Sequence, residues 1–372
     1  MRGRTKTSFN RRIGMVHKFI AGAKIVIALM LATLLAGCAV DRAHKCAAVS
    51  RETCSIASEL SRGINLGNSL ESPLEGQWGL TINEEHINLA AKNFKTVRLP
   101  VRWSNHAASI ADAKIDEAFA SRVDEVVNAL LSQGVYVISN LHHYSQVNGL
   151  GVHAPFEKPV AADVVDARFV NIWRQLGERY KNHSPKLIFE LLNEPTGRFD
   201  KAGGAQEWNE LAAKALTAVR ATNPSRSVMF GPTHYQHPKY LAQLKVPKDR
   251  NLIVAVQIYD PFAFTHQDFL SHLKRFPRGL TCCTSSQRRE VQNTLQMASD
   301  WSVANGYPVH LGEFGANAKA DMASREVYTR LVRDEAEKLG IGWTYWGFAA
   351  EFAVYSVETK KWVEPIRRAL LD

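Results

Sequence analysis

The chain has 372 residues, of which 45% are hydrophobic and 22% charged, a composition typical of a soluble globular protein with a sizeable core. Its formal net charge of +10 suggests nucleic-acid binding, but seven of the 46 Lys and Arg residues, and none of the 36 Asp and Glu residues, lie within residues 1–37. The other 39 basic and 36 acidic residues give a net charge of only +3, which argues against a nucleic-acid partner.

Residues 1–37 have the pattern of a secretion signal. A basic segment precedes the apolar stretch 25–35. This stretch has the length of the apolar part of a signal peptide and is shorter than a typical membrane-spanning helix. The stretch ends in Leu35-Ala36-Gly37-Cys38, which resembles the bacterial lipoprotein cleavage box, in which the Cys becomes the lipidated first residue. We therefore expect an exported protein with lipid attachment at Cys38, and Ala39 after it favours the outer membrane. The alternative is an ordinary signal peptide cut near Ala36 or Ala39, which would give an extracellular protein.

The segment that follows, residues 38–60, is polar and small, and we predict a tether. The remainder, 61–372, alternates short apolar runs with longer stretches of helical periodicity and is predicted to be one folded domain. Its predicted strands are 63–68, 97–101, 135–142, 187–194, 228–232, 252–259, 309–314 and 343–346. Its predicted helices are 84–93, 116–132, 167–180, 206–222, 239–244, 287–305, 325–339 and 362–371.

Alternating strands and helices predict a parallel sheet, and eight repeats with no stretch left for a second domain predict an α/β fold, a single (β/α)8 TIM barrel. An open doubly wound sheet is the structural alternative. It would usually carry a Gly-rich phosphate turn after the first strand, and the run GINLGN at 63–68 is no GxGxxG fingerprint.

Four cysteines follow Cys38, namely Cys46, Cys54, Cys282 and Cys283. In an oxidising compartment they can pair in three ways. Cys46 could pair with Cys54, and either of these two could instead pair with Cys282 or Cys283. A bond between the neighbouring Cys282 and Cys283 is disfavoured because its geometry is strained. No Cys or His spacing in the chain matches a zinc site.

Polar residues fall at the carboxyl ends of the predicted strands, where barrel enzymes build their active sites. They are Arg98, His142, His143, Asn193, Glu194, Tyr259, Glu313 and Trp346. An ionised Glu is rarely buried without a partner, so Glu194 and Glu313 at two strand ends indicate a shared site. Paired carboxylates are the groups that cleave glycosidic bonds.

Several ordered sequence blocks resemble glycoside hydrolase family 5, the cellulase-type retaining barrel enzymes. They are 63–71 (GINLGNSLE), 97–100 (VRLP), 140–143 (NLHH), 187–196 (LIFELLNEPT) and 312–315 (GEFG). The resemblance spans residues 63–371. It implies that Glu194 is the general acid and base and that Glu313 is the nucleophile that attacks the anomeric carbon.

The resemblance also assigns substrate-binding residues around the two carboxylates. Arg98 and Tyr259 would hydrogen-bond Glu313, and the guanidinium would lower the pKa of this carboxyl group and keep it ionised. Further along the site, Asn193 would bond the sugar 2-hydroxyl, His142 and His143 would line the same subsite, and Trp346 would offer a flat face to the sugar ring. The chain departs from the family pattern at Gln257, where the family usually has His, and an amide cannot carry a proton at neutral pH.

The expected function is retaining, endo-acting hydrolysis of β-1,4 bonds in a cellulose-like polysaccharide, by a monomer that needs no metal or organic cofactor. Mannan, xyloglucan, xylan and other β-glucans are alternative substrates, because loops decide among them. Two other classes remain open. His142 and His143 could serve a metal-dependent hydrolase, and Gln257 leaves room for a lipoprotein that binds glycan without cleaving it.

Overall fold

The computed structural model describes residues 44–151, 157–268 and 277–372. The predicted signal segment 1–37 and the predicted lipid-attachment residue Cys38 lie outside the described residues. Within the described ranges, no helix is both long enough and apolar enough to cross a membrane.

Eight parallel strands form a closed barrel in sequential order, as predicted. They are β1 Gly63–Asn65, β2 Thr96–Leu99, β3 Tyr136–Asn140, β4 Leu187–Glu190, β5 Val228–Phe230, β6 Leu252–Gln257, β7 Val309–Glu313 and β8 Gly342–Tyr345. Strand β8 pairs with β1, so the sheet has no free edge. All eight strands end earlier than predicted, because the chain leaves the barrel to form the loops at its carboxyl edge.

Helices surround the barrel. The main ones are Glu84–Asn93, Glu117–Ser132, Val165–Tyr180, Gly204–Arg220, Ser285–Asn305, Met322–Lys338 and Glu364–Leu371. Their starts follow local capping chemistry. Asp116 accepts a hydrogen bond from the backbone of Phe119, and Thr284 and Gln287 form a reciprocal capping box. The predicted helix 239–244 is instead a short 3-10 helix, Pro238–Gln243.

Strand alternation decides which side chains reach the barrel interior. Val97 and Leu99 of β2 belong to the apolar layer beneath the helices, whereas Arg98 between them points inward. Likewise, Phe189 of β4 packs outward and Glu190 points inward. Polar groups therefore meet inside the barrel near its carboxyl end.

The segment at 44–60 differs from the predicted tether. It contains the helix Arg51–Glu59, which begins at the N-cap Ser50 and is linked to the preceding turn by a Cys46–Cys54 disulfide. Ile56 and Leu60, four residues apart on one helical face, pack against apolar side chains inside the amino end of the barrel. The polar composition concealed this apolar pair.

The other two cysteines also differ from expectation, since Cys282 and Cys283 are bonded to each other. Their shared peptide bond is cis, and their Cα atoms lie 3.0 Å apart, which allows neighbouring sulfur atoms to meet.

Candidate active site

An open cleft of about 750 Å³ lies at the carboxyl ends of the strands. Both predicted catalytic residues, Glu194 and Glu313, line it. Five of the six residues predicted to bind substrate line it as well: His142, His143, Asn193, Tyr259 and Trp346. The closed barrel therefore brings together side chains from β3, β4, β6, β7 and β8 or the loops that follow them.

Arg98 is the exception, because it is fully buried below the cleft and does not line it. Its Nε and Nη2 atoms donate to the two carboxylate oxygens of Glu190 at 2.6 and 3.0 Å. Nη1 donates to Glu313 at 2.6 Å, and Nη2 also donates to Asn193 at 2.8 Å. The hydrogen bond from Arg98 to Glu313 is as expected, and the position of Arg98 indicates that it holds the residues that face the cleft. Its assignment as a substrate-binding residue stays a prediction.

Glu313 closes β7 and is held at both carboxylate oxygens. Oε1 accepts from Arg98, and Oε2 accepts from the Tyr259 hydroxyl at 3.0 Å. Burial raises the pKa of Glu313, whereas Arg98 and Tyr259 lower it. The net effect is a raised pKa for Glu313, opposite to the expected decrease. The expectation took account of the guanidinium but not of the removal of the carboxyl group from water. The two donors nevertheless favour the ionised form.

Glu194 lies in a different electrostatic environment. No side chain in the described part of the chain donates a hydrogen bond to its carboxyl group. Burial raises its pKa to about 8, and the nearby Glu313 carboxylate adds to this effect while Arg98 opposes it. Its backbone φ is +50°, a left-handed conformation that non-glycine residues adopt mainly where the surroundings enforce it. Because only Glu313 has two side-chain donors, Glu194 is the better placed of the two groups to hold a proton, and Glu313 is the better placed to carry the negative charge.

Asn193 precedes Glu194 and is only 5% exposed. Its Oδ1 accepts hydrogen bonds from Arg98 and from Gln257 Nε2 at 2.9 Å. Both acceptor positions of this oxygen are thus used, which leaves the Nδ2 hydrogens for a ligand in the cleft. Asn193 is therefore a fixed donor beside the two carboxyl groups.

Glu194 and Glu313 thus lie in one barrel cleft in different electrostatic environments. A comparison with known protein families agrees with this arrangement. The family model described as cellulase, glycosyl hydrolase family 5, matches residues 62–351. The chain belongs to this family.

Curated relatives support the assignment. Endoglucanase H of Acetivibrio thermocellus is 32% identical over 321 residues, which cover 84% of this chain and 33% of that protein. Endoglucanase A of Clostridium longisporum is 30% identical over 326 residues, which cover 81% of this chain and 60% of that protein. The chain thus spans one third to three fifths of the length of these two relatives.

Solved structures match over nearly their whole length. A hyperthermophilic endo-β-1,4-glucanase in complex with substrate is 35% identical, with a TM-score of 0.78, and the match covers 85% of this chain and 98% of that one. Cel5A of Thermotoga maritima in complex with mannotriose is 34% identical, with a TM-score of 0.78, and the match covers 85% and 99%. The barrel and its family assignment are therefore confirmed together.

One side of the family 5 cleft is built from stacked rings. Trp346 lies 5.7 Å from His142 with the rings 15° from parallel, and Gly67 leaves the space that the indole occupies. Asn140 donates to Nδ1 of His142, which places the ring proton on Nε2. Burial holds the pKa of His142 well below its usual range, so the ring is neutral.

Sequence reasoning missed several residues of the site. Glu190 lies in the middle of the predicted strand 187–194, although it is the last residue of the observed β4, and its inward direction becomes evident only once the barrel register is known. Gln236 comes from the loop after β5, where no pattern marks it. Trp78, His266 and Phe352 add aromatic rings to the cleft wall.

The described residues offer no site for a metal ion, since no three His, Cys, Asp or Glu side chains among them converge suitably. His142 and His143 lie edge to face with ring centroids 4.3 Å apart. Their surroundings are an amide and aromatic rings, namely Asn140, Trp346 and Trp78. This arrangement does not favour the metal-hydrolase alternative.

Proposed function

We propose that this chain hydrolyses internal β-1,4-glucosidic bonds of a cellulose-like polysaccharide by double displacement, with retention of configuration. The observation that carries the proposal is the contrast within one cleft between Glu194, whose pKa is raised to about 8, and Glu313, which accepts from Arg98 and Tyr259. An acid that keeps its proton and a carboxylate that is held ionised are the two groups that this reaction needs.

In the first step, Glu313 attacks the anomeric carbon while Glu194 gives its proton to the departing sugar oxygen. The bond to that oxygen breaks, and a covalent glycosyl-Glu313 ester forms. As the carboxylate loses its charge to the new bond, Arg98 keeps Glu190 as its partner. The guanidinium is therefore not left unpaired during the reaction.

In the second step, the ionised Glu194 removes a proton from water, which attacks the same carbon and releases Glu313. Glu194 ends the cycle protonated and Glu313 ends it ionised, so both return to their starting states. Asn193 can donate to the hydroxyl beside the reacting carbon, and the stacked Trp346 can support the sugar ring.

The shape of the cleft supports an internal site of cleavage. It is open to solvent rather than enclosed, and its volume of about 750 Å³ is compatible with a polymeric substrate. The solved neighbour named endo-β-1,4-glucanase supports β-1,4-glucan as the first substrate, and the relatives named endoglucanases agree with a glucan. The neighbouring structure with mannotriose gives reason to test mannan as the second.

The experiment is reducing-sugar release by the purified chain from carboxymethyl cellulose, glucomannan, xyloglucan and xylan. We expect activity on the first substrate, and a loss of about 10³-fold or more in the Glu194→Gln and Glu313→Gln variants. Glu207→Gln, on an exposed helix position, is the matched control and should behave as the wild type. Retained sugar binding with no reducing ends from any substrate would instead establish the non-catalytic alternative.

We also propose that the chain is exported through the segment 1–37 and attached to the outer membrane by a lipid on Cys38. The support is the sequence pattern alone, a basic and then apolar leader that ends in Leu35-Ala36-Gly37-Cys38. Incorporation of labelled palmitate into the wild type, and not into Cys38→Ser, would support attachment. Label in neither protein would leave the ordinary signal peptide as the better account.

A further inference from the structure

Two buried glutamines connect the cleft to the barrel interior. Gln257, at the end of β6, is 2% exposed, and its Nε2 donates to Asn193 Oδ1 at 2.9 Å and to Gln236 Oε1 at 3.1 Å. Gln236 is fully buried, and its Nε2 donates to the backbone oxygen of Leu192 at 3.1 Å and to Glu190 at 3.4 Å. Neither glutamine lines the cleft.

The direction of these hydrogen bonds is fixed by their partners. Arg98 has only donors, so the Asn193 atom that it contacts is the oxygen. The Gln257 atom that faces this oxygen must therefore be the amide nitrogen. A flipped Gln257 would place its oxygen against two other acceptor oxygens, those of Asn193 and Gln236, and would lose both bonds.

The backbone conformation at Gln236 and the two residues before it also supports this arrangement. His234, Tyr235 and Gln236 have φ values of 56°, 61° and 58°, three successive non-glycine residues in the left-handed region. Such conformations cost free energy and persist where the surroundings require them. The Gln236 carbonyl accepts from the Gln257 backbone at 3.1 Å, which joins this loop to the end of β6 beside the Gln257 side chain.

We propose that Gln236 and Gln257 act as positioning residues that hold Asn193 as a donor to the substrate hydroxyl next to the scissile bond. The inference rests on the proposed function. It deepens that function by giving a role to Gln257, at the position where the family pattern has His. Neither amide gains or loses a proton in the working pH range, so this support for Asn193 is the same at every pH at which the carboxyl groups work.

The test compares two aryl β-cellobiosides, one complete and one lacking the 2-hydroxyl on the ring that carries the scissile bond. For Gln257→Leu we expect kcat/KM on the complete substrate to fall about 10- to 100-fold, the effect of one lost buried hydrogen bond. On the deoxy substrate we expect little change. The ratio of variant to wild type is taken on each substrate separately, so the different intrinsic reactivity of the two substrates cancels.

A second variant uses pH as the readout. In Gln257→Glu an ionised carboxylate would face the Asn193 oxygen, and only its protonated form can donate to it. Relative to wild type at each pH, the activity of this variant should therefore rise as the pH falls. Gln296→Glu, on the exposed face of the helix Ser285–Asn305, is the control and should show a constant ratio.

Three results would overturn the inference. Equal losses on both substrates would make Gln257 merely structural, and no loss on either would remove its role. A Gln257→Glu variant whose relative activity does not depend on pH would contradict the donor direction. Absence of hydrolysis by the wild type on any glycoside would instead refute the proposed function, and this inference would fail with it.

Discussion

Arg98 and Glu190 form a fully buried bidentate ion pair directly below the candidate nucleophile. Burial alone would lower the pKa of Arg98, but Glu190 and Glu313 raise it, so the guanidinium stays charged. Its fork is oriented by Glu190 before any substrate arrives, which fixes the direction of the bond to Glu313.

Replacement of Glu190 by Gln should therefore shift the pH profile of the reaction. The Glu190 charge raises the pKa of Glu194, so removal of this charge should lower that pKa. The midpoint of the basic limb in the kcat/KM profile should therefore move to lower pH, by up to about one unit. A full kcat/KM profile measures the shift. Glu207→Gln should leave the limb in place, and an upward movement in Glu190→Gln would contradict this account.

The raised pKa of Glu194 also predicts a pH-dependent stability. A carboxyl group that binds its proton more tightly when folded destabilises the fold as the pH rises from its ordinary value of 4.5 to about 8. The Glu194→Gln variant lacks this group and does not lose that stability. Its Tm should therefore increase relative to the Tm of the wild type as the pH rises over this interval, and the difference should be constant above it. Thermal melts across the interval test this, and a constant difference would be the opposing result.

Gly67 should matter through Trp346 rather than through its own flexibility. A Cβ at residue 67 would lie 2.6 Å from the indole, so Gly67→Ala must displace the ring. We expect KM for a soluble glucan to rise about 3- to 10-fold, because sugar contact of about 1 kcal/mol is lost. In the Trp346→Ala background the same change should add little, and an additive effect would show that the two residues act independently.

The Cys46–Cys54 disulfide should contribute stability without affecting catalysis. Its short loop predicts a loss of about 2 to 3 kcal/mol in the free energy of unfolding for the double Cys→Ser variant, measured in urea. Activity under native conditions should be unchanged, because the disulfide lies at the end of the barrel opposite the cleft. Ser55→Ala on the same helix is the control.

The fold and the residues at strand ends could be predicted from the sequence because both depend on local pattern. Apolar runs mark the strands, and a polar residue that closes such a run must reach the carboxyl edge of a barrel. Glu194, Glu313, Tyr259 and Trp346 were found in this way, and each of them lines the cleft.

The deeper layer of the site depends on register and could not be predicted. The inward direction of Glu190 and the complete burial of Arg98 follow from barrel closure, which no short segment encodes. Gln236 is delivered by three left-handed residues whose identities, His, Tyr and Gln, give no turn signal. The helix Arg51–Glu59 was missed because only one apolar pair, Ile56 and Leu60, marks its buried face, and its other contacts with the barrel are hydrogen bonds of small polar residues.

That helix lies on the face of the barrel opposite the cleft. It covers the amino ends of the strands, with Ser50 bonded to Arg250 before β6 and Ala48 bonded to Gly306 before β7. The first described residues are therefore on the side of the barrel remote from the two carboxyl groups. Attachment of the protein to a support at these first described residues would therefore leave the cleft facing the surrounding medium.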